Sequence, residues 1–171
     1  ATIEDCQNSG TVYSLRGASG GIAGYVSKVT ITGCRFTGGI TRSAPGGGIA
    51  GVVSNCKVSS CYVKSNITSA DGGSAFADAG GIIGEAVSSS VDGCRYYGTI
   101  IENSQKITGN RVFGGIIGKA DAASSAGVTT ACGFGGTING TTITETDLST
   151  CAIGSTTGTR GTFYLWDGVL Q

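Results

Sequence analysis

The chain of 171 residues has no histidine, no methionine and one proline, and only 13% of its residues are charged. Without histidine there is no Ser-His-Asp triad, no Cys-His pair and no histidine-containing metal site. Eleven basic residues balance eleven acidic ones, so the chain lacks the electrostatic footprint of a nucleic-acid binder or a polybasic membrane binder. No apolar run approaches the roughly 20 residues that cross a bilayer. We predict no nucleic-acid partner, no membrane insertion by this segment, no metal and no cofactor.

What the chain does have is a seven-residue cysteine motif, repeated five times. The copies begin at Cys6, Cys34, Cys61, Cys94 and Cys132, and they end at Val12, Ile40, Ile67, Ile100 and Ile138. Position one is always Cys, position three is usually aromatic or Val, position five is Gly or Ser, and position seven is Ile or Val. An alternation of period two is typical of a β-strand with one buried face.

A glycine motif, Gly-Gly-Ile-x-Gly, precedes four of the cysteine motifs, at 20–24, 47–51, 80–84 and 114–118. A short alternating segment such as 29–32 lies between the two motifs. The alternation slips by one residue at Gly33, Ser60, Gly93 and Ala131. A small residue at such a slip indicates a corner, where a bulky side chain would obstruct the turn.

Self-similarity of this kind predicts a stack of equivalent coils. We predict an all-β fold, a right-handed parallel β-helix (β-solenoid) of about five to six coils with protruding loops. The chain forms one domain, 1–171. Its units are 1–19 (partial), 20–46, 47–79, 80–113 and 114–140, and 141–171 supplies a degenerate rung and a C-terminal cap. The spacing places long loops at 69–79 and 102–113 and a shorter insertion at 122–127. Because the chain begins within a repeat, we expect it to belong to a larger parent protein.

The seven cysteines recur mostly at one structural position, so they are expected to behave as small core residues. We predict free, buried thiols that become reactive only on unfolding. Neighbouring coils of a parallel β-helix lie about 4.8 Å apart, which is within disulfide reach. The alternative to seven free thiols is therefore that isolated pairs of these cysteines form disulfides.

The two motifs together resemble the GLUG-motif repeat, in which Gly-Leu-x-Gly is followed by Asn-Cys-Tyr-Ala-Thr-Gly-x-Val. Four units match, at 21–40, 48–67, 81–100 and 115–138, with Ile in place of Leu and no Asn before Cys. Similar repeats occur in non-catalytic regions of large bacterial surface proteins, including immunoglobulin A peptidases and haemagglutinin-like adhesins. The resemblance implies an extracellular, cell-surface setting and a β-helix, and it transfers no catalytic residue.

The outward positions of the cysteine motif are the candidate binding surface. Stacking of the coils is expected to bring Arg35, Tyr62 and Arg95 into one exposed column, with Tyr97 beside it. Tyr and Arg are enriched in recognition surfaces, and flat aromatic arrays suit sugars. We predict that these four residues and the long loops bind a glycan or a host surface or matrix protein. The alternative is that Tyr and Thr occur here because they are good strand formers.

Parallel β-helices also host carbohydrate-active enzymes, and glycoside hydrolysis uses a pair of carboxyl groups. The candidates are Glu85, Asp92, Glu102 and Asp121, with Lys119 and Arg95 as bases. Glu85 and Lys119 follow equivalent glycines and are expected to be neighbours on consecutive coils. A single such pair favours a surface ion pair, and we assign no catalytic residue. The predicted function is a non-enzymatic bacterial cell-surface repeat domain, an adhesin module or a structural stalk. The alternative is a β-helix polysaccharide lyase or hydrolase.

Overall fold

The computed structural model describes residues 1–42, 44–69, 78–101, 112–121, 129–158 and 160–170. Short strands dominate these residues, as the period-two alternation predicts. The predicted loops at 69–79, 102–113 and 122–127 lie almost wholly outside the described residues. No helix in the described ranges is long and apolar enough to span a membrane.

The strands follow one another in the same order in each coil. Coil one has β1 (Thr2–Glu4), β2 (Gln7–Asn8) and β3 (Val12–Ser14); coil two has β4 (Ser19–Gly20), β5 (Ala23–Ser27), β6 (Thr30–Thr32), β7 (Arg35–Phe36) and β8 (Ile40–Arg42). Coil three has β9 (Gly46–Gly47), β10 (Ala50–Ser54), β11 (Lys57–Ser59), β12 (Tyr62–Lys64) and β13 (Ile67–Ser69); coil four has β14 (Ala79–Gly80), β15 (Ile83–Val87), β16 (Ser90–Asp92) and β17 (Arg95–Ile101). Coil five has β18 (Phe113–Gly114), β19 (Ile117–Ala120), β20 (Thr129–Thr130) and β21 (Cys132–Ile138). The C-terminal part has β22 (Thr141–Thr142), a 3₁₀ helix (Glu145–Asp147), α1 (Leu148–Cys151), β23 (Ile153–Thr156) and β24 (Phe163–Leu165).

Equivalent strands of successive coils pair side by side and form four sheets. One sheet has the order β1-β6-β11-β16-β20, another β5-β10-β15-β19-β23, and a third β4-β9-β14-β18. The cysteine motifs build the fourth sheet, which β24 extends by pairing with β21. Among the described strands every pairing is parallel except that of β21 with β22. This confirms the all-β parallel β-helix.

Left-handed backbone conformations mark the corners between sheets. The predicted corner residues Gly33, Ser60, Gly93 and Ala131 have φ angles of 65°, 53°, 61° and 50°. Their positive φ confirms a corner at each of these positions, although among them only the two glycines adopt this conformation without strain. The structure has a second row of corners, at Lys28, Asn55 and Ser88, with φ of 57°, 53° and 46°. The sequence did not predict this row because its residues are not uniformly small.

The core explains why the glycine and cysteine motifs occur together. The second glycine of each glycine motif faces position three of the cysteine motif across the interior, and a Cβ at Gly81 would overlap the ring of Tyr96. Gly21 with Phe36 and Gly115 with Phe134 repeat this contact in coils two and five. The missing side chain on one wall therefore makes room for the aromatic ring on the other.

The thiols only partly follow the prediction. All seven cysteines are free, and Cys34, Cys56, Cys61, Cys94 and Cys132 are buried. Their sulfurs lie near carbonyl oxygens of the preceding corner, as for Cys61 Sγ and Ser59 O at 3.3 Å. Burial raises the pKa of the Cys34 thiol to about 11. The prediction is wrong for Cys6, which is exposed because coil one packs on a neighbouring coil from one side only, and for Cys151, which lies half-buried in α1.

Candidate binding face

The outward positions two, four and six of the cysteine motifs form three parallel columns, which we call the outer face. Position two contains Gln7, Arg35, Tyr62, Arg95 and Gly133; position four contains Ser9, Thr37, Lys64, Tyr97 and Gly135; position six contains Thr11, Gly39, Asn66, Thr99 and Thr137. The strand register pairs Tyr62 with both Arg35 and Arg95, and Lys64 with Tyr97. The predicted alignment of these residues on consecutive coils is confirmed.

The sequence predicted an exposed column of Arg35, Tyr62 and Arg95, and this is wrong. The three side chains are half-buried and stack with one another and with Trp166. The guanidinium of Arg35 lies 4.7 Å from the centroid of the Tyr62 ring. Tyr62 in turn contacts the ring of Trp166 edge-on, and the guanidinium of Arg95 lies 5.2 Å from the Trp166 centroid. Trp166, predicted only as part of the cap, is therefore a member of the candidate site.

The C-terminal strand brings Trp166 to the outer face. β24 continues the cysteine-motif sheet, and the backbone N–H of Trp166 donates to the carbonyl of Phe134 at 3.1 Å. Coil five has glycine at positions two and four, and a Cβ at Gly133 or Gly135 would overlap Tyr164 or the Trp166 backbone. Trp166 Nε1 donates to the carbonyl of Val169 at 3.1 Å, and the side chain is only 7% exposed. The missing side chains in coil five thus let the C-terminal segment close over this end of the face.

A trough runs along the solenoid axis between columns four and six. Its volume is about 490 Å³, and it is lined by Thr37, Lys64 and Tyr97 on one side and by Gly39, Asn66, Thr99 and Thr137 on the other. The floor is position five, where a Cβ at Gly38 or Gly98 would overlap a carbonyl of the preceding coil. Coil three has the small, buried side chain of Ser65 at this position, so only glycine and serine form the floor.

Hydrogen-bonding groups and one aromatic ring line the walls of the trough. Asn66 Oδ1 accepts from the backbone N–H of Thr99 at 3.2 Å, and Thr137 Oγ1 donates to Thr99 Oγ1 at 3.1 Å. Lys64 is exposed. Tyr97 also borders a second cavity of about 480 Å³ that includes Trp166 and Asp167. Such a combination of a ring face with amide, hydroxyl and ammonium groups can hold a polyhydroxylated ligand.

The candidate catalytic carboxylates lie elsewhere on the solenoid. Glu85 and Lys119 are register partners, as predicted, and line a cavity of about 190 Å³ with Asp121. The Asp121 carboxylate accepts from the backbone N–H of Ser88 at 3.1 and 3.0 Å, which is a structural role. Burial, and then the charge of Glu85, raises the pKa of Asp78, which lies within electrostatic reach of this pair.

The remaining candidates do not join that group. Asp92 lies in β16, Arg95 belongs to the outer face, and Glu102 falls outside the described residues. Within the described ranges no three His, Cys, Asp or Glu side chains are placed to hold a metal ion.

No family model, no curated protein and no solved structure matches the chain. The ligand assignment below therefore depends on the geometry of the outer face and on the chemistry of its residues.

Proposed function

We propose that this chain is a non-enzymatic repeat domain of a bacterial cell surface, an adhesin module whose outer face binds an extended carbohydrate. The observation that carries the proposal is the trough between columns four and six, which follows the solenoid axis across coils two to five. A groove of this shape suits a linear chain better than a compact small molecule. The resemblance to surface-protein repeats is the reason for placing it outside the cell.

The side chains of the trough fit sugars in particular. The ring of Tyr97 packs against Gly168 and also lines the trough, where the apolar face of a pyranose can contact it. Asn66, Thr99 and Thr137 supply amide and hydroxyl groups at the opposite wall. Coils of a parallel β-helix repeat every 4.8 Å or so, about the length of one sugar ring, so successive sugars can meet equivalent positions on successive coils.

A passive stalk is the second candidate, and one observation favours it. Trp166 already covers part of the Arg35–Tyr62–Arg95 column, so that aromatic surface has a structural use. In a stalk, the trough would be a by-product of the small residues at position five. The alternative of a carbohydrate-active enzyme would instead use the Glu85–Lys119 cavity, and it remains a prediction.

A glycan array compares these candidates directly. The purified chain is tested beside Tyr97→Ala and Asn66→Ala, with Tyr25→Ala as the control, because Tyr25 is 63% exposed on β5 and away from the outer face. We expect selective glycan binding that the first two variants lose and the control keeps. Thermal unfolding of each variant separates lost binding from lost folding. If wild type binds no glycan, the adhesin proposal fails and the stalk is favoured.

A further inference from the structure

We infer that the carbohydrate carries negative charges, as carboxylate or sulfate groups, and that Arg35 and Lys64 bind them. This inference depends on the proposed function, since it names the ligand class of the same face. It comes from the distribution of charge, which is uneven on the solenoid although the whole chain has equal numbers of acidic and basic residues.

The cations of the outer face follow the solenoid axis. Arg35 belongs to coil two, Lys64 to coil three and Arg95 to coil four. Positions two, four and six of all five cysteine motifs contain no Asp or Glu. Consecutive coils therefore present one positive charge each, at a spacing of about 4.8 Å along the axis.

The carboxylates that flank these columns in the sequence lie outside them, and Asp5, at the corner before Cys6, is one of them. Asp92 belongs to β16, on the other side of the Gly93 corner, where its register partners are Ser59 and Thr130. Asp167 follows Trp166 and lines the C-terminal cavity. Among the described residues, Lys64 is thus the one charged residue that lines the trough, while Arg35 and Asp167 line the cavities beside it.

Within the described part of the chain, Arg35, Lys64 and Arg95 join no ion pair and donate no side-chain hydrogen bond. Arg35 and Arg95 use the flat face of the guanidinium on aromatic rings, which holds each group in place and leaves its N–H edge available for an oxyanion. Uncompensated, preoriented donors of this kind favour carboxylate or sulfate.

Lys64 lines the trough itself, whereas Arg35 lines a smaller cavity of about 270 Å³ beside it, at coils one and two. Thr37 lines both cavities, so the two adjoin each other at coil two. Arg95 lines neither of them and contributes through its longer-range field.

Two matched pairs of polymers test the inference: polygalacturonate against its methyl-esterified form, and dextran sulfate against dextran. Each member of a pair has the same backbone with and without the charge. Affinity is measured for wild type, Arg35→Gln, Lys64→Gln and the control Lys57→Gln. Lys57 is exposed on β11 of the same coil as Lys64 but belongs to another sheet.

We expect the charged member of at least one pair to bind at least tenfold more tightly, and each of Arg35→Gln and Lys64→Gln to lose about tenfold. The pair that shows this identifies the anion as carboxylate or sulfate. Lys57→Gln should change affinity less than twofold. If Lys57→Gln lost as much affinity as Arg35→Gln and Lys64→Gln, the proposed site would be wrong, because the polymer would then be attracted by the overall charge of the protein.

The inference and the proposed function fail in different ways. If the neutral and charged forms bind equally and Lys64→Gln has no effect, the ligand is uncharged, and the inference is wrong while carbohydrate binding stands. If no polymer or glycan on the array binds, the proposed function itself is wrong.

Discussion

The ring of Trp166 packs edge-on against the ring of Tyr62, with centroids 5.4 Å apart and planes inclined at 76°. One residue belongs to the C-terminal segment and the other to coil three, so the contact crosses several coils of the solenoid. It links closure of the stack to the same outer face that we propose as the binding surface. Loss of this contact should therefore affect both the end of the fold and the arginines beside it.

Replacing Trp166 with alanine should lower the free energy of unfolding by about 3 kcal/mol, because a nearly buried aromatic side chain leaves a cavity. Urea unfolding of Trp166→Ala measures this loss. Tyr25→Ala, at an exposed position, should cost less than about 1 kcal/mol. Equal stability of Trp166→Ala and wild type would show that the C-terminal segment does not pack on the outer face in solution.

Alanine at Gly81 should destabilise the fold by about 3 kcal/mol, since the new methyl group would overlap the Tyr96 ring and the Gly115 backbone. Gly39 is the matched control, because its Cβ would meet only the carbonyl of Asn66, at 4.0 Å. Gly39→Ala should change stability by less than about 1 kcal/mol. Chemical unfolding of both variants checks the contact between glycine and cysteine motifs, and similar losses in the two would contradict it.

The corner residues allow a reciprocal exchange. Gly93 has a φ of 61°, and a Cβ there would meet only Ser60, at 4.0 Å, whereas Ala131 has a φ of 50° with a methyl group. Gly93→Ala should cost about 1 kcal/mol, and Ala131→Gly should gain about 0.5 kcal/mol, because left-handed backbone is strained for residues with a Cβ. Thermal unfolding measures both shifts. The corner assignment fails if the two substitutions change stability in the same direction.

Thiol reactivity should divide the cysteines into three groups. Ellman's reagent should modify Cys6 at once, Cys151 more slowly, and the five buried cysteines only in denaturant. The reactive species is the thiolate, and burial also suppresses it by raising the pKa of Cys34. Cys6→Ser should remove the fast phase. Rapid modification of three or more thiols in the native protein would contradict the packed core.

The sequence predicted the features that recur in every coil. The cysteine motif marks the buried face of one sheet, and the parity slips at Gly33, Ser60, Gly93 and Ala131 mark one row of corners. Both are local: each depends on alternation or on side-chain size over a few residues. The strand register could also be predicted, because an alignment of the repeats places Arg35, Tyr62 and Arg95 at the same position of successive coils.

The features that the sequence did not predict depend on contacts between distant segments. Trp166 reaches Tyr62 only because coil five has glycine at positions 133 and 135. The sequence of the C-terminal segment alone does not indicate this contact. The corner at Lys28, Asn55 and Ser88 shows no common chemistry. Cys6 satisfies the motif yet is exposed, since burial requires a neighbouring coil on each side.

We propose that the outer face binds the ligand and that the other sheets are its scaffold. The sharpest test is backbone amide NMR of the labelled protein, titrated with a galacturonate oligosaccharide. We expect saturable shifts at Lys64, Asn66, Tyr97 and Thr99, with none at Tyr25 and Val52 of the sheet that contains β5 and β10. Shifts confined to that other sheet, or to the Glu85–Lys119 cavity, would contradict it.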